Sequence, residues 1–174
     1  MTPDEKRLEY MARTAGPRVL AYLARRTSPP DEAVDLYQQV LVTTWTRIAR
    51  VPDEETAALC WMLATARRHL ANHDRGQRRR LEGTRRLARR IRVTHPAPRA
   101  EQDPLAEAMS SLPPEDLELV HLIYWDDLTT DQAAAVVGLR AATARKRLQR
   151  ARDRLRDAME AHHARGDVTS AISA

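Results

Sequence analysis

Apolar residues recur every three or four positions along most of this chain, and few folds accommodate that pattern. Leu8, Met11, Ala12, Ala15, Val19, Tyr22 and Leu23 follow it, and Val34, Leu36, Tyr37, Val40, Leu41 and Trp45 lie on or near a second such face. This spacing buries one side of a helix, whereas the period-two alternation of a half-buried strand is scarce. The 174 residues include only seven aromatics, none of them Phe, and five Gly. A core must therefore be built from Leu, Val, Ile, Ala and Met, which suits small helical bundles. Ala, Leu, Arg and Glu, the dominant residues, are strong helix formers. The expected fold class is all-α, as two small helical domains joined by a Pro-containing linker.

Proline sets the punctuation. Ser28-Pro29-Pro30 should end a first helix running from about Asp4 to Arg26, because Pro cannot donate the helical hydrogen bond and constrains its predecessor. A second helix is expected from Asp31 to about Ile48. A third runs from about Glu54 to Asp74, with the Arg-rich stretch beyond Gly76 open to continuing it. Residues 94–104 carry three Pro and no apolar period, the mark of a semi-extended linker. The expected organisation is one domain over 1–93, the linker over 94–104, a second domain over 105–163 and a disordered tail over 164–174. Within the second domain, Leu105–Leu112 forms one short helix. Pro113-Pro114 opens another, which carries Leu117, Val120, Leu122, Ile123 and Tyr124 and ends near Asp126-Asp127.

The next segment reads as a helix-turn-helix. Thr129-Thr130-Asp131-Gln132 has the form of a capping box, and a helix from Thr130 to Val137 meets Gly138, which can supply a positive-φ turn. The following helix, from Arg140 or Ala141 to about Met159, has a core stripe at Ala141, Ala144, Leu148, Ala151, Leu155 and Ala158. With that stripe buried, Ala142, Thr143, Lys146, Gln149 and Arg150 face outward. Such a helix offers its first turns to base edges and its flanks to phosphates. Arg140, Thr143, Arg145 and Lys146 are the candidates for bases. Arg147, Arg150 and Arg154 are candidates for phosphates or for solvated charges.

Charge supports that reading. The net charge of +5 conceals a segregation: residues 67–99 hold twelve Arg against two acids, and 140–156 hold seven Arg and one Lys against Asp153. Residues 100–139 hold nine acids and no Lys or Arg. Two basic blocks suggest two nucleic-acid contacts, and the acidic block is expected to face solvent or a basic partner. A charge run is more often simply a solvated face, but Arg predominates here, and its fork fits phosphates and guanine edges.

The chain opens without a secretory signal, and no stretch reaches the roughly 20 apolar residues of a membrane span. A soluble, cytoplasmic protein is expected, with no membrane insertion. Cys60 sits in an apolar run and reads as a small buried hydrophobe. His69 and His73 are four apart, a spacing open to a metal, but no Glu lies between them and no third ligand is evident. No metal, cofactor or catalytic residue is expected, and the chain is read as not an enzyme.

At this point the sequence resembles the extracytoplasmic-function sigma factors, two-domain bacterial subunits that direct RNA polymerase to promoters. In the C-terminal half the resemblance rests on Leu112-Pro113-Pro114-Glu115, Leu128-Thr129, Ala134, Gly138-Leu139, Thr143, Arg145, Arg147-Leu148 and Ala151-Arg152. In the N-terminal half it rests on Ala33-Val34-Asp35-Leu36-Tyr37-Gln38-Gln39-Val40 with Trp45, and on the run from Trp61 to His73. The resemblance implies that Asp35, Leu36, Gln38, Gln39 and Trp45 bind core RNA polymerase. It implies that Trp61, Arg67, Arg68, His69, Asn72, His73, Arg75 and Arg78 bind the minus-ten element. It implies that Arg140, Ala142, Thr143, Arg145, Lys146, Arg147 and Arg150 bind the minus-thirty-five element. Such factors are commonly held inactive by an anti-sigma factor, a further partner the resemblance brings in.

This chain departs from the family at several positions. Acids usual at Val34 and Gln39 are missing, Arg68 stands for a usual Asn and Asn72 for a usual Asp. The loop Arg50 to Thr56 is acidic where the family is often basic or aromatic, and Arg140 replaces a usual Ser or Thr cap. The competing reading is a stand-alone helix-turn-helix regulator that binds duplex DNA without being a polymerase subunit.

Overall fold

The computed structural model describes residues 1–29, 31–88 and 104–172. All regular structure among them is helical: α1 (Pro3–Thr14), α2 (Gly16–Ala24), α3 (Asp31–Thr46), a 3-10 turn (Ile48–Arg50), α4 (Glu55–Ala88), α5 (Pro104–Ser110), α6 (Pro114–Tyr124), α7 (Thr130–Val137) and α8 (Ala141–Ile172). The chain is all-α, as its apolar spacing requires. It divides into two compact units, Met1–Thr94 and His95–Ala174. The expected linker, apart from Pro104, lies outside the described residues.

In the first unit, α2, α3 and α4 pack around Val19, Tyr22, Leu23, Leu36, Val40, Met62 and Leu63, all essentially inaccessible. The single helix expected over 4–26 is two helices. Pro17 stands in the first turn of α2, where its missing N–H costs nothing. Gly16 lies under a ring from α3: a Cβ there would come within 2.3 Å of Tyr37 Oη. A capping box starts α1, with Glu5 N donating to Thr2 Oγ1 at 3.2 Å and Thr2 N donating to Glu5 Oε2 at 2.7 Å.

The acidic loop before α4 has a structural explanation. Glu54 caps α4, its carboxylate accepting from Thr56 N at 2.9 Å and Ala57 N at 2.6 Å. Asp53 pairs with Arg7 at 2.8 Å. Arg7 also donates to the carbonyls of Ile48, Val51 and Pro52, which ties α1 to the loop. The backbone N–H groups of Thr56 and Ala57 hold the Glu54 carboxyl below its ordinary pKa. A depressed folded-state pKa gives stability that is present above the unfolded-state pKa and lost as pH falls through the folded one. We therefore expect Glu54→Gln to melt at a lower temperature than the parent near neutral pH. The difference should shrink at acid pH, as read by thermal denaturation across a pH series.

Two helices run farther than their apolar stripes indicate. α4 crosses Gly76 and continues to Ala88, because no Pro interrupts it and Gly inside a helix costs only about 1 kcal/mol. α8 continues to Ile172, so the helical backbone covers 164–172, the segment expected from sequence to be a disordered tail.

In the second unit, α5, α6 and α7 pack on α8 around Leu112, Val120, Leu148 and Ala151, with Met109, Leu117, Ile123 and Leu155 closing the edges. The capping box of α7 is present: Gln132 N donates to Thr129 Oγ1 at 3.3 Å, and Thr129 N donates to Gln132 Oε1 at 2.8 Å. Gly138 adopts φ 76°, where a residue bearing Cβ would cost about 1–2 kcal/mol. Leu139 N donates to Ala134 O at 2.9 Å and Gly138 N to Ala135 O at 3.3 Å, the paired bonds of a Schellman turn. These bonds fix the angle at which α8 leaves α7.

Candidate nucleic-acid interface

Burial of Ala144, Leu148 and Ala151 rotates the opposite side of α8 outward. Ala142, Thr143, Lys146 and Arg150 are exposed and, with half-buried Arg147, line one shallow depression. Arg140 is exposed in the turn just before them. Among the described residues Arg140, Lys146 and Arg150 make no ion pair.

The other arginines of this helix differ. Arg145, the sequence candidate for a base contact, lies 3.0 Å from Asp131 of α7, with both side chains well exposed. Arg147 pairs with Glu115 of α6 and lies 3.7 Å from Asp116, and Arg154 lies 3.6 Å from the other oxygen of Asp116. Arg152 donates to Tyr124 Oη at 2.7 Å. The acidic block was expected to face solvent or a basic partner. Part of it instead turns onto α8, because α6 and α7 pack there and present Glu115, Asp116 and Asp131 to its flanks. Asp116 is buried, as is Asp126.

In the first unit α4 has two distinct sides. His69, His73 and Gln77, each four apart, face α3. His69 Nε2 lies 2.9 Å from Thr43 Oγ1, His73 Nε2 lies 3.1 Å from Glu32 Oε2, and Gln77 Nε2 donates to Glu32 Oε1 at 3.1 Å. Burial pulls the pKa of His69 down, which favours its neutral form. These two histidines, sequence candidates for the minus-ten element, are half-buried and engage α3. On the other side Arg68, Asn72, Arg75 and Arg79 are exposed at steps of four, three and four, with the Asn72 carbonyl accepting from Arg75. Arg79 was not among the sequence candidates, although that step marks it. Trp61 and Arg67 are half-buried, and the side chain of Arg78 lies outside the described residues.

On α3 the candidates for polymerase contact separate by burial. Leu36 is 2% exposed and belongs to the core, so it is not available to a partner. Asp35, Gln38, Gln39 and Trp45 are exposed. Two further apolar residues join them on the outer side: Val34, which the sequence placed near the apolar face, and Val42, at 63% exposure. Trp45, 42% exposed, lies one turn beyond Val42 on the same helix. Beside them Leu8, Ala12, Leu41 and Trp45 line a groove rimmed by Glu5 and Glu9 of α1.

Cys60 is buried, and loss of solvation pushes its thiol up, away from the reactive thiolate. Among the described residues no group of three His, Cys, Asp or Glu is placed to hold a metal ion. None of their helices is long and apolar enough to cross a membrane.

A helix-turn-helix with a cationic second helix, and a separate unit carrying an arginine stripe, define a helical protein with two exposed basic surfaces. Comparison with known proteins makes the class specific. The family model "Sigma-70 region 2" matches residues 11–80 and "Sigma-70, region 4" matches 102–155. The RNA polymerase sigma-E factor of Streptomyces avermitilis is 29% identical over 87% of this chain and 84% of its own length. The ECF RNA polymerase sigma factor RpoE of Cereibacter sphaeroides is 25% identical over 90% and 88%. Among solved structures, the sigma factor RpoE in complex with the anti-sigma factor NepR from Bartonella quintana aligns with TM-score 0.63 at 22% identity. That alignment covers 89% of this chain and 98% of that one. CnrH in complex with the cytosolic domain of CnrY aligns with TM-score 0.62 at 18% identity, over 90% of each chain. The chain belongs to the extracytoplasmic-function sigma factors and directs promoter-specific transcription initiation with RNA polymerase. Sigma factors are non-enzymatic, DNA-binding initiation factors.

Proposed function

We propose that the two units divide promoter recognition between them. The second unit lays α8 in the major groove of the minus-thirty-five element, with Arg140, Thr143 and Lys146 toward base edges and Arg150 toward a phosphate. The observation that carries this is the outward row from Ala142 to Arg150, immediately after a turn fixed by Gly138. The first unit sets the Arg68, Asn72, Arg75 and Arg79 side of α4 against the minus-ten element. There the Asn72 amide can both donate to and accept from an unpaired base. The outer side of α3, with Asp35, Gln38, Gln39, Val42 and Trp45, seats the chain on core polymerase.

An anti-sigma protein is the natural partner to cover these surfaces when the factor is idle, as the similar RpoE of Bartonella quintana is bound by the anti-sigma factor NepR. The chain is read as cytoplasmic, where polymerase works.

Run-off transcription with core polymerase tests the minus-ten assignment. Asn72→Ala should lower specific transcript about tenfold, on the order of one base contact, while co-elution with core polymerase stays at the parental level. Parental transcript from Asn72→Ala would remove that residue from the interface.

A further inference from the structure

We propose that Glu115, Asp116 and Asp131 are specificity-determining residues, which hold back the arginines of α8 from DNA that is not a promoter. This inference rests on the reading of α8 as the minus-thirty-five helix. Three carboxylates from α6 and α7 engage Arg145, Arg147 and Arg154, while Lys146 and Arg150 on the same helix have no ion pair among the described residues. The cations of the helix are thus of two kinds. One kind is available to any phosphate. The other must first leave an internal carboxylate.

The cost of leaving is set by burial. Asp116 is 7% exposed and faces Arg147 and Arg154, two turns apart on α8. A buried carboxylate deprived of its cation is strongly unfavourable, so these guanidiniums do not turn cheaply to a phosphate. Asp131 is exposed, and its hold on Arg145 is the weaker one. Random duplex offers only phosphates in exchange, and an abandoned carboxylate would then repel the backbone. A promoter adds base-edge contacts from Thr143 and Lys146, which seat the helix without that exchange. The acids therefore weaken random binding more than promoter binding, the difference on which selectivity depends.

The test uses the full-length chain and a fluorescent duplex of random sequence, with affinity measured by anisotropy across a KCl series. Each phosphate engaged adds about 0.9 to the slope of log affinity against log salt. Asp131→Asn should steepen the slope by about 0.9 and raise low-salt affinity about fivefold. Glu115→Gln with Asp116→Asn should steepen it by about 1.8. Asp157→Asn, an exposed change on the same helix, alters net charge equally and should leave the slope at the parental value. Because Asp131 is exposed, Asp131→Asn remains decisive even if the buried double change fails to fold. Lys146→Ala with Arg150→Ala separates the two levels of the argument. If that pair flattens the slope while the acid variants do not steepen it, the restraint is wrong and the DNA-facing assignment of α8 stands. If none of these variants changes the slope, α8 does not face DNA. A slope steepened equally by Asp157→Asn would reduce the effect to net charge and overturn the proposal.

Discussion

Val42→Asp combined with Trp45→Ala is expected to weaken binding to core polymerase by at least about 30-fold while leaving the fold intact. The side chains are 63% and 42% exposed, so their loss opens no cavity, and surface changes usually stay within about 0.5 kcal/mol of the parent. At an interface the balance reverses. An exposed Trp beside an apolar groove has the character of a hot spot, where truncation costs about 2 kcal/mol or more, and an Asp placed at Val42 would be desolvated on docking. Competition of the variant against labelled parent for core polymerase reads the affinity, and thermal melting reads the fold. A variant that competes as well as the parent would move the polymerase contact off this side of α3. Leu36→Ala is a useful contrast. It should lower the melting temperature, because a buried Leu→Ala change costs about 2–5 kcal/mol.

Lys146→Ala combined with Arg150→Ala should reduce promoter affinity of the holoenzyme by about 100-fold. One change removes a base-edge candidate, for which about 1–3 kcal/mol is at stake, and the other removes a phosphate contact, which lowers the salt slope by about 1. Neither residue has an ion pair among the described residues, so their loss strands no buried acid. The same substitutions should not affect seating on core polymerase, which is assigned to the other unit. If polymerase binding fell in parallel, the division of labour between the units would be wrong.

The features that could be read from sequence are those with local causes. The capping box at Thr129, the left-handed Gly138 and the buried stripe Ala144–Leu148–Ala151 each depend on residues a few positions apart, and each stands where expected. The segregation of charge marked both basic helices. What escaped depends on contacts between helices. Asp131 and Arg145 are 14 positions apart and Glu115 and Arg147 are 32 apart, so nothing local says that the acidic block restrains the basic one. His69 and His73 lie within an arginine-rich run, yet the rotation of α4 gives them to Thr43 and Glu32. Val34, Leu36, Val40 and Val42 are all apolar, and only packing decides that two are core and two are surface. The break at Ala15 was obscured because the apolar spacing runs straight through it, even though Pro17 marks the start of a new helix.

Promoter selection by this chain is read directly by mapping transcript 5′ ends made in vitro by core polymerase on genomic DNA, with and without it. With the chain present, a new, discrete set of start sites that share two upstream elements is expected. That set should disappear with Lys146→Ala/Arg150→Ala and with Val42→Asp/Trp45→Ala alike, the first because the promoter is not read and the second because polymerase is not delivered. A chain that binds promoter DNA tightly while core polymerase stays inert would contradict a role in promoter selection.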